Sequence, residues 1–270
     1  MATIHPTAVV EKDVQLADDV VIGPYCVVGS GASIGPGTVL DTRVVVTGAT
    51  KIGRDNRFYP NSVIGCCPQV LGLTPGMKMG ELVIGDRNTI RENVTIHPSR
   101  HEGNITQIGS DILMMVGTHI GHDCTVEDKV VLSNYVQIAG HVKIERGAWI
   151  SGLAASHQFV TIGQWCFVAG LAGLTRDVPP FLIVSGHYPP RVRGVNKRGM
   201  LRAGLNEQQQ EQIYDAYKRL YRHSSGSTLL ASAQELAQQD GLDENVRAMV
   251  EAIFRSTQHR FGRYRESLRA

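Results

Sequence analysis

Residues 108–144 read IGSDILMMVGTHIGHDCTVEDKVVLSNYVQIAGHVKI, and within them a large aliphatic residue returns at every sixth position. The series runs Ile108, Met114, Ile120, Val126, Leu132, Ile138, Ile144, Ile150, Ser156, Ile162, Val168, Leu174, with Ser156 its one polar member. A period of six fits neither the 3.6 of a helix nor the 2.0 of a flat strand. It marks a hexapeptide β-helix, a solenoid whose short parallel strands turn corners at regular intervals. Upstream the same phase holds from Ile4 through Val10, Leu16, Ile22, Val28, Ile34, Leu40, Val46, Ile52 and Phe58 to Ile64. We call these the guide residues. Many are followed by glycine, as at Ile22-Gly23 and Ile34-Gly35, and the residue four later is small or β-branched, as at Cys26, Ala32 and Thr38. Both features suit a tight corner beside an inward-pointing aliphatic.

The phase is interrupted twice. From Ile64 the next guide residue is Ile84, 20 positions on, read as 18 plus 2, so that residues 65–83 carry an external segment. Ile96 and Ile108 are 12 apart, which keeps the phase, but His97-Pro98-Ser99-Arg100-His101-Glu102-Gly103-Asn104 lacks coil residues and predicts a second loop. Excursions on one face of a solenoid often belong to its binding surface. After Leu174, Asp177-Val178-Pro179-Pro180 ends the repeat. The expected organisation is therefore a β-helix over 1–180 with loops at about 66–83 and 97–107, a connector at 181–204 and a helical domain at 205–270. Asn206, Ser227 and Asp243 are predicted to cap three helices, running to about Arg222, to about Gln239 and onward from Asp243 through Val246, Met249, Val250 and Ile253.

Composition agrees. The chain of 270 residues is 42% hydrophobic but only 6% aromatic, as expected of a narrow prism that excludes bulky rings. A net charge of +2 implies no nucleic-acid partner. The five cysteines, Cys26, Cys66, Cys67, Cys124 and Cys166, are odd in number, so reduced thiols in a cytoplasmic protein are expected rather than a disulfide framework. No stretch approaches 18 apolar residues, and none reads as a signal peptide or an integral membrane segment.

Four histidines, His119, His122, His141 and His157, fall inside the repeat. If three hexads make one coil, residues 18 apart stack, about 4.8 Å per coil. His122, Gly140 and Gln158 then form one column, with Asp123, His141 and Phe159 on one side and Gly121, Ala139 and His157 on the other. A single such histidine is most simply an exposed polar residue. Four within two or three coils, beside an aspartate and a glycine, point to a site. Zinc held through His97, His119 and His122 is the competing chemistry, though it leaves Gly140 without a role. A non-catalytic solenoid that binds through its flat faces is the third possibility.

His119-Ile120-Gly121-His122-Asp123-Cys124-Thr125, Ala139-Gly140-His141-Val142, His157-Gln158-Phe159 and Asp177-Val178-Pro179-Pro180 closely resemble the UDP-N-acetylglucosamine O-acyltransferase family, as do Ile84-Gly85-Asp86-Arg87-Asn88, Ile90-Arg91-Glu92 and Val94-Thr95-Ile96-His97. The resemblance covers nearly the whole chain. It implies a left-handed parallel β-helix and a homotrimer with active sites between subunits. It implies transfer of an (R)-3-hydroxyacyl chain from acyl carrier protein to the 3-hydroxyl of UDP-GlcNAc, the first step of lipid A synthesis, without metal, cofactor or covalent intermediate. His122 matches the family's general base, Asp123 the group that orients it, and Gly140 the backbone oxyanion donor. His97, His119, His141, His157 and Gln158 match positions that hold sugar, phosphate or acyl groups. Gly170 matches the position that limits acyl length; reckoned along the axis it stands roughly 13 Å above His122, room for about ten methylenes. Asn196 and Arg202 match the nucleotide-contacting segment, within a basic run (Arg191, Arg193, Lys197, Arg198, Arg202) that would receive the acidic carrier and the diphosphate. The family's first loop usually carries an Asp-Leu-Lys-Tyr-like run, and here Val70-Leu71-Gly72-Leu73 stands in its place. Lys78 or Arg100 are the candidates to substitute. A 2,3-diamino sugar acceptor is the alternative this departure leaves open, and an acetyltransferase using acetyl-CoA on a nucleotide sugar is the runner-up among enzymes.

Overall fold

The computed structural model describes every residue except 75, 223–226, 269 and 270. Those positions fall in the expected first loop and helical domain, and the expectations there lie outside the described residues. From Thr3 to Leu174 the chain winds as a three-sided prism of short parallel strands, most of them two residues long. Three sheets of 11, 9 and 8 strands form its faces; we name them A, B and C in the order the chain visits them. Positions one coil apart pair on each face, as in Val21 with Val39, His119 with Gln137 and Thr125 with Lys143. Guide residues point inward: Ile22, Leu40, Phe58, Ile120 and Ile138 are all at most 1% exposed. Because each one stacks on its neighbour a coil away, the walls fuse into one continuous core.

Most corners follow one grammar. Four residues after a guide position a second side chain enters the interior, and Val20, Cys26, Val44, Cys124 and Val142 there are wholly buried. Three residues after it the backbone enters the left-handed region, even where the residue is Tyr25 (φ 59), Asp123 (φ 60) or His141 (φ 61). The glycine one residue after the guide serves a different purpose: a Cβ on Gly35 would come within 2.7 Å of the Gly53 carbonyl oxygen of the next coil. Polar residues at inward corner positions are hydrogen-bonded. Asn56 Oδ1 accepts from the Asn88 N–H at 2.9 Å, and Asn88 Oδ1 accepts from the Ile112 N–H at 2.8 Å.

Both interruptions leave the prism at the edge between sheets B and C. Ile52 pairs with Ile84, and Ile84 with Ile108, where an unbroken repeat would bring residues 70 and 102 to those places. The first excursion is thus one long insertion within a single step of the repeat, between Ile64 and Ile84, which corrects the reading of 18 plus 2. The strands also resume earlier than expected, at Glu81 and Ile105, because Leu82 and Thr106 pair with each other and are fully buried.

Residues 181–204 are more ordered than a connector. Leu182–Ser185 extends sheet A beside Phe167–Val168, Arg191–Val195 returns antiparallel to it, and helix α1 spans Lys197–Arg202. Helix α2 (Glu207–Tyr221) begins at Asn206 with a complete capping box, and α4 (Glu244–Thr257) begins at Asp243. Helix α3 (Leu229–Ala237) is capped by Thr228, whose side chain accepts from the Ala231 N–H, so Ser227 is one residue short of the cap. Ile213, Leu236 and Val250 of these helices pack with Met200, Phe181 and Trp165 in a second core that ties the helices to the top of the prism. All five cysteines are free thiols. No helix among the described residues is long and apolar enough to cross a membrane.

Candidate active site

The edge between sheets B and C gathers the histidines. The pairing of Ile120 with Ile138 and of Ile138 with Ser156 puts His122, Gly140 and Gln158, each two positions further on, in one file. His122 is buried to 6% exposure, and its ring lies against the bare backbone of Gly140. A Cβ built on Gly140 would sit 2.7 Å from His122 Nε2 and 2.6 Å from Cε1. His122 Nδ1 lies 2.7 Å from Asp123 Oδ2. A carboxylate can only accept, so Nδ1 carries the proton and Nε2 presents a lone pair beside Gly140.

Asp123 is held by partners that spacing could not reveal. Its Oδ1 accepts from the Ser99 hydroxyl, its Oδ2 accepts from the Arg100 N–H at 3.3 Å, and its own N–H donates to Thr106 Oγ1 at 2.7 Å. Burial pushes its carboxyl up, but hydrogen bonds from His122, Ser99 and the Arg100 backbone outweigh that and hold it down to about 2. The second loop therefore folds over the edge to lock the carboxylate that orients His122. His141 stands one coil above Asp123, its ring edge-on to His122 at 4.9 Å and stacked flat on Phe159 at 4.5 Å. Burial lowers the His141 imidazole to about 4, against the pull of Asp123, so at neutral pH it is uncharged.

Below this group, His97 Nδ1 donates to the Cys66 carbonyl at 2.9 Å, and its Nε2 is buried without a partner among the described residues. That leaves an unpaired acceptor on a ring held next to His119. His119 Nδ1 is 2.8 Å from Thr95 Oγ1, its ring edge-on to His97 at 5.2 Å, and burial lowers it to about 4. His157 is exposed, with Nδ1 3.1 Å from the Gln158 carbonyl.

The Gly140 N–H finds no acceptor among the described residues. This belongs to the corner itself, because Pro6, Pro24, Pro36 and Pro60 occupy the same position, two after the guide residue, in other coils. A corner that tolerates proline makes no use of this N–H. Glycine restores the donor while letting the His122 ring approach.

Other expected residues lie on different edges of this chain. Gly170 stands over Gly152 on the edge between A and B, so the height reckoned from His122 does not measure a groove of one chain. Asn196 is buried, its side chain donating to the Trp165 carbonyl at 2.8 Å and accepting from Gly199 N–H, the N-cap bond of α1. The Arg202 guanidinium reaches the Gly147 carbonyl at 3.3 Å and lies over Trp149 and Trp165, on the edge between C and A. Lys78 pairs with Glu102 at the surface, and Arg100 serves Asp123 through its backbone.

His122, Asp123 and His141 offer atoms within 4.8 Å of one another, a spacing a metal ion could span. The 2.7 Å contact between His122 and Asp123 is instead occupied by a proton, and both Asp123 oxygens already accept from Ser99 or Arg100. Cys124 is fully buried and its thiol is pushed up to about 12, so it offers no thiolate. The arrangement sets an imidazole, tied through Nδ1 to a carboxylate, beside a backbone N–H that no other described group uses.

Comparison with known proteins agrees. Residues 177–261 match the family model for domain 2 of UDP N-acetylglucosamine O-acyltransferase, and residues 1–35 match the bacterial transferase hexapeptide. The fold is similar to that of the UDP-N-acetylglucosamine acyltransferase of Francisella novicida, at 33% identity, TM-score 0.89, covering 96% of this chain and 93% of that one. It is also similar to the Moraxella catarrhalis UDP-N-acetylglucosamine O-acyltransferase (37%, 0.86, 93% and 96%) and to an Arabidopsis acyltransferase of the same name (28%, 0.77, 95% and 98%). With the fold matched over 93–96% of this chain at 33–37% identity, the chain belongs to the UDP-N-acetylglucosamine acyltransferase family and is an acyltransferase.

Proposed function

We propose that this enzyme moves an (R)-3-hydroxyacyl chain from acyl carrier protein to the 3-hydroxyl of UDP-GlcNAc, the opening step of lipid A synthesis. The observation that carries the chemistry is the contact of His122 Nε2 with the Gly140 backbone, with Nδ1 tied to Asp123. Nε2 takes the proton of the acceptor hydroxyl as its oxygen attacks the thioester carbonyl. The oxyanion forms beside the Gly140 N–H, which no other described group uses. As the C–S bond breaks, the imidazolium returns that proton to the leaving thiolate, and Asp123 steadies the imidazolium between the two steps. The buried Nε2 of His97 supplies an acceptor for a sugar hydroxyl or amide N–H. His119, His141, His157 and Gln158 line the same edge as contacts for sugar, phosphate or acyl groups.

Gly170, Asn196 and Arg202 stand on other edges of the prism from His122. For them to serve the same substrate, a second copy must bring its edge against this one, which supports a closed homotrimer. Light scattering at about 88 kDa, three times the 29.4 kDa chain, tests that arrangement. The length limit at Gly170 would then be set across the subunit boundary. A cytoplasmic location is consistent with the free thiols.

The decisive experiment supplies 3-hydroxyacyl carrier protein and, separately, acetyl-CoA, each with UDP-GlcNAc and with its 3-amino analogue. Turnover with the carrier and UDP-GlcNAc is expected, falling roughly 10²–10⁴-fold in His122→Ala with the fold intact. Turnover only with acetyl-CoA, or only with the amino sugar, overturns the donor or the acceptor assignment. The amino-sugar outcome corresponds to the alternative raised by Val70-Leu71-Gly72-Leu73 in the first loop.

A further inference from the structure

Besides the N–H two residues after the guide position, most corners leave a carbonyl open. Three residues after the guide position, in the left-handed residue, the carbonyl has no place in the ladder between coils. Where the C-terminal third meets the prism, its side chains cap these carbonyls: Asn196 on Trp165, Arg202 on Gly147 and Lys129, and Arg265 on His141. The first two caps fall on the edge between C and A. The third falls on the active edge, 124 residues away in sequence, with Arg265 Nε 3.2 Å from the His141 carbonyl.

Arg265 is delivered by a strap that starts one residue beyond the matched family span of 177–261. Gly262 (φ +66) accepts from the Asp177 N–H at 2.7 Å, and the Tyr264 N–H donates to Asp177 Oδ2 at 3.3 Å. Arg263, 7% exposed, donates to the Thr175 carbonyl at 2.6 Å and pairs with Glu266 at 2.6 Å. The strap is therefore anchored at the coil of Asp177 and runs down the edge to the coil of His141, alongside the file of Gln158 and Gly140.

We infer that Arg265 is a positioning residue for acyl transfer: by holding the His141 carbonyl from outside it fixes the 139–142 corner, and with it the Gly140 N–H and the His141 ring. Within the repeat the corner is held to the coil below by His141 N–H on the His122 carbonyl at 2.9 Å, by Thr125 N–H on the Val142 carbonyl at 3.0 Å and by the Cys124 thiol on the Ala139 carbonyl at 3.2 Å, and to the coil above by Phe159 N–H on the Gly140 carbonyl at 3.3 Å. The Arg265 bond restrains the one carbonyl that these leave open, that of His141, and it comes from outside the repeat. Rate, not substrate affinity, is what it serves, because a corner displaced by a fraction of an ångström still admits the sugar nucleotide but misaims the donor.

This inference rests on the acyl-transfer reading, and the experiment separates the two. Arg265→Ala and Arg265→Lys are compared with the intact chain in steady-state kinetics and in amide hydrogen exchange of the peptide covering 138–143. Arg265→Ala is expected to lower kcat about tenfold with KM for the sugar nucleotide within about twofold. Exchange at 139–142 should rise while the solenoid core stays protected, and lysine, which keeps a donor, should restore part of both. Unchanged kcat with unchanged exchange overturns the inference, as does a fall in melting temperature with kcat intact, the mark of a merely structural strap. If the intact chain shows no acyl transfer, the functional reading fails, and the exchange at 139–142 alone upholds or overturns the role of Arg265.

Discussion

Substituting Gly140 by alanine leaves the N–H in place and adds one methyl group, so it isolates the steric demand of the site. The new carbon would stand 2.6 Å from His122 Cε1 and 2.7 Å from Nε2. Carbon contacts settle near roughly 3.5 Å, so the ring must retreat by about 1 Å. It cannot do so and keep its 2.7 Å bond to Asp123, which the Ser99 and Arg100 contacts hold in place. A misplacement of about 1 Å in a reacting group costs on the order of 10²-fold in rate, about 2.7 kcal/mol. Overpacking adds a loss of roughly 1–3 kcal/mol in stability. The assay is a double-mutant cycle on kcat and on melting temperature, with His122→Ala as the second substitution. Without the imidazole the three atoms nearest the methyl group are gone, so Gly140→Ala should change little in that background. Equal losses with and without His122, in rate or in melting temperature, would refute the steric account and leave Gly140 needed for some other reason.

Ser99→Ala removes one of the bonds that hold Asp123 near 2. The Asp123 carboxyl should rise towards its ordinary range, seen by NMR titration, and kcat should fall several-fold as the orienting group loosens; an unmoved titration denies Ser99 that role. His119 and His141 are lowered to about 4 from 6.5, so their contribution to stability is present above pH 6.5 and is lost as pH falls through about 4. Each contributes at most about 3 kcal/mol, and less where solvent screens a half-open ring. Asp177 opposes them, because burial raises it to about 6 and it favours the fold as pH falls through that value. Urea midpoints should drop between pH 6.5 and 4, less steeply in His141→Asn, and a flat profile in that window contradicts the assignment. Ser156 occupies a guide position, with its hydroxyl buried and unpartnered among the described residues. Ser156→Ala should raise stability by about 1 kcal/mol in chemical denaturation, and a loss of stability would mean that the hydroxyl has a partner.

The prism was legible because its signal is local and repeated. A wall of three sheets needs an aliphatic at every sixth position, and the chain supplies one from Ile4 to Leu174 with two interruptions and one substitution at Ser156. The same period ranked His122, Gly140 and Gln158 into one file before any distance was known, since the stacking of one coil on the next is arithmetic. Helix caps at Asn206 and Asp243 were legible for a similar reason: the cap bonds to residues within three positions.

What escaped the period is what the chain brings in from outside it. That the insertion before Glu81 fills a single step, the Ser99 hydroxyl on Asp123 and the Arg265 cap on His141 follow from no repeat, and the last two join distant parts of the chain through a loop or a strap. Asn196 and Arg202, which the resemblance assigns to a nucleotide site, reach backbone carbonyls of another edge in this chain, a placement the spacing did not announce. Sequence alone determined the winding and the edge on which imidazole, bare amide and carboxamide meet, because inward packing at fixed spacing dictates both. Only the tertiary structure decided which proton each histidine holds and what restrains Asp123, because those depend on hydrogen-bond partners delivered by excursions whose paths no local pattern encodes.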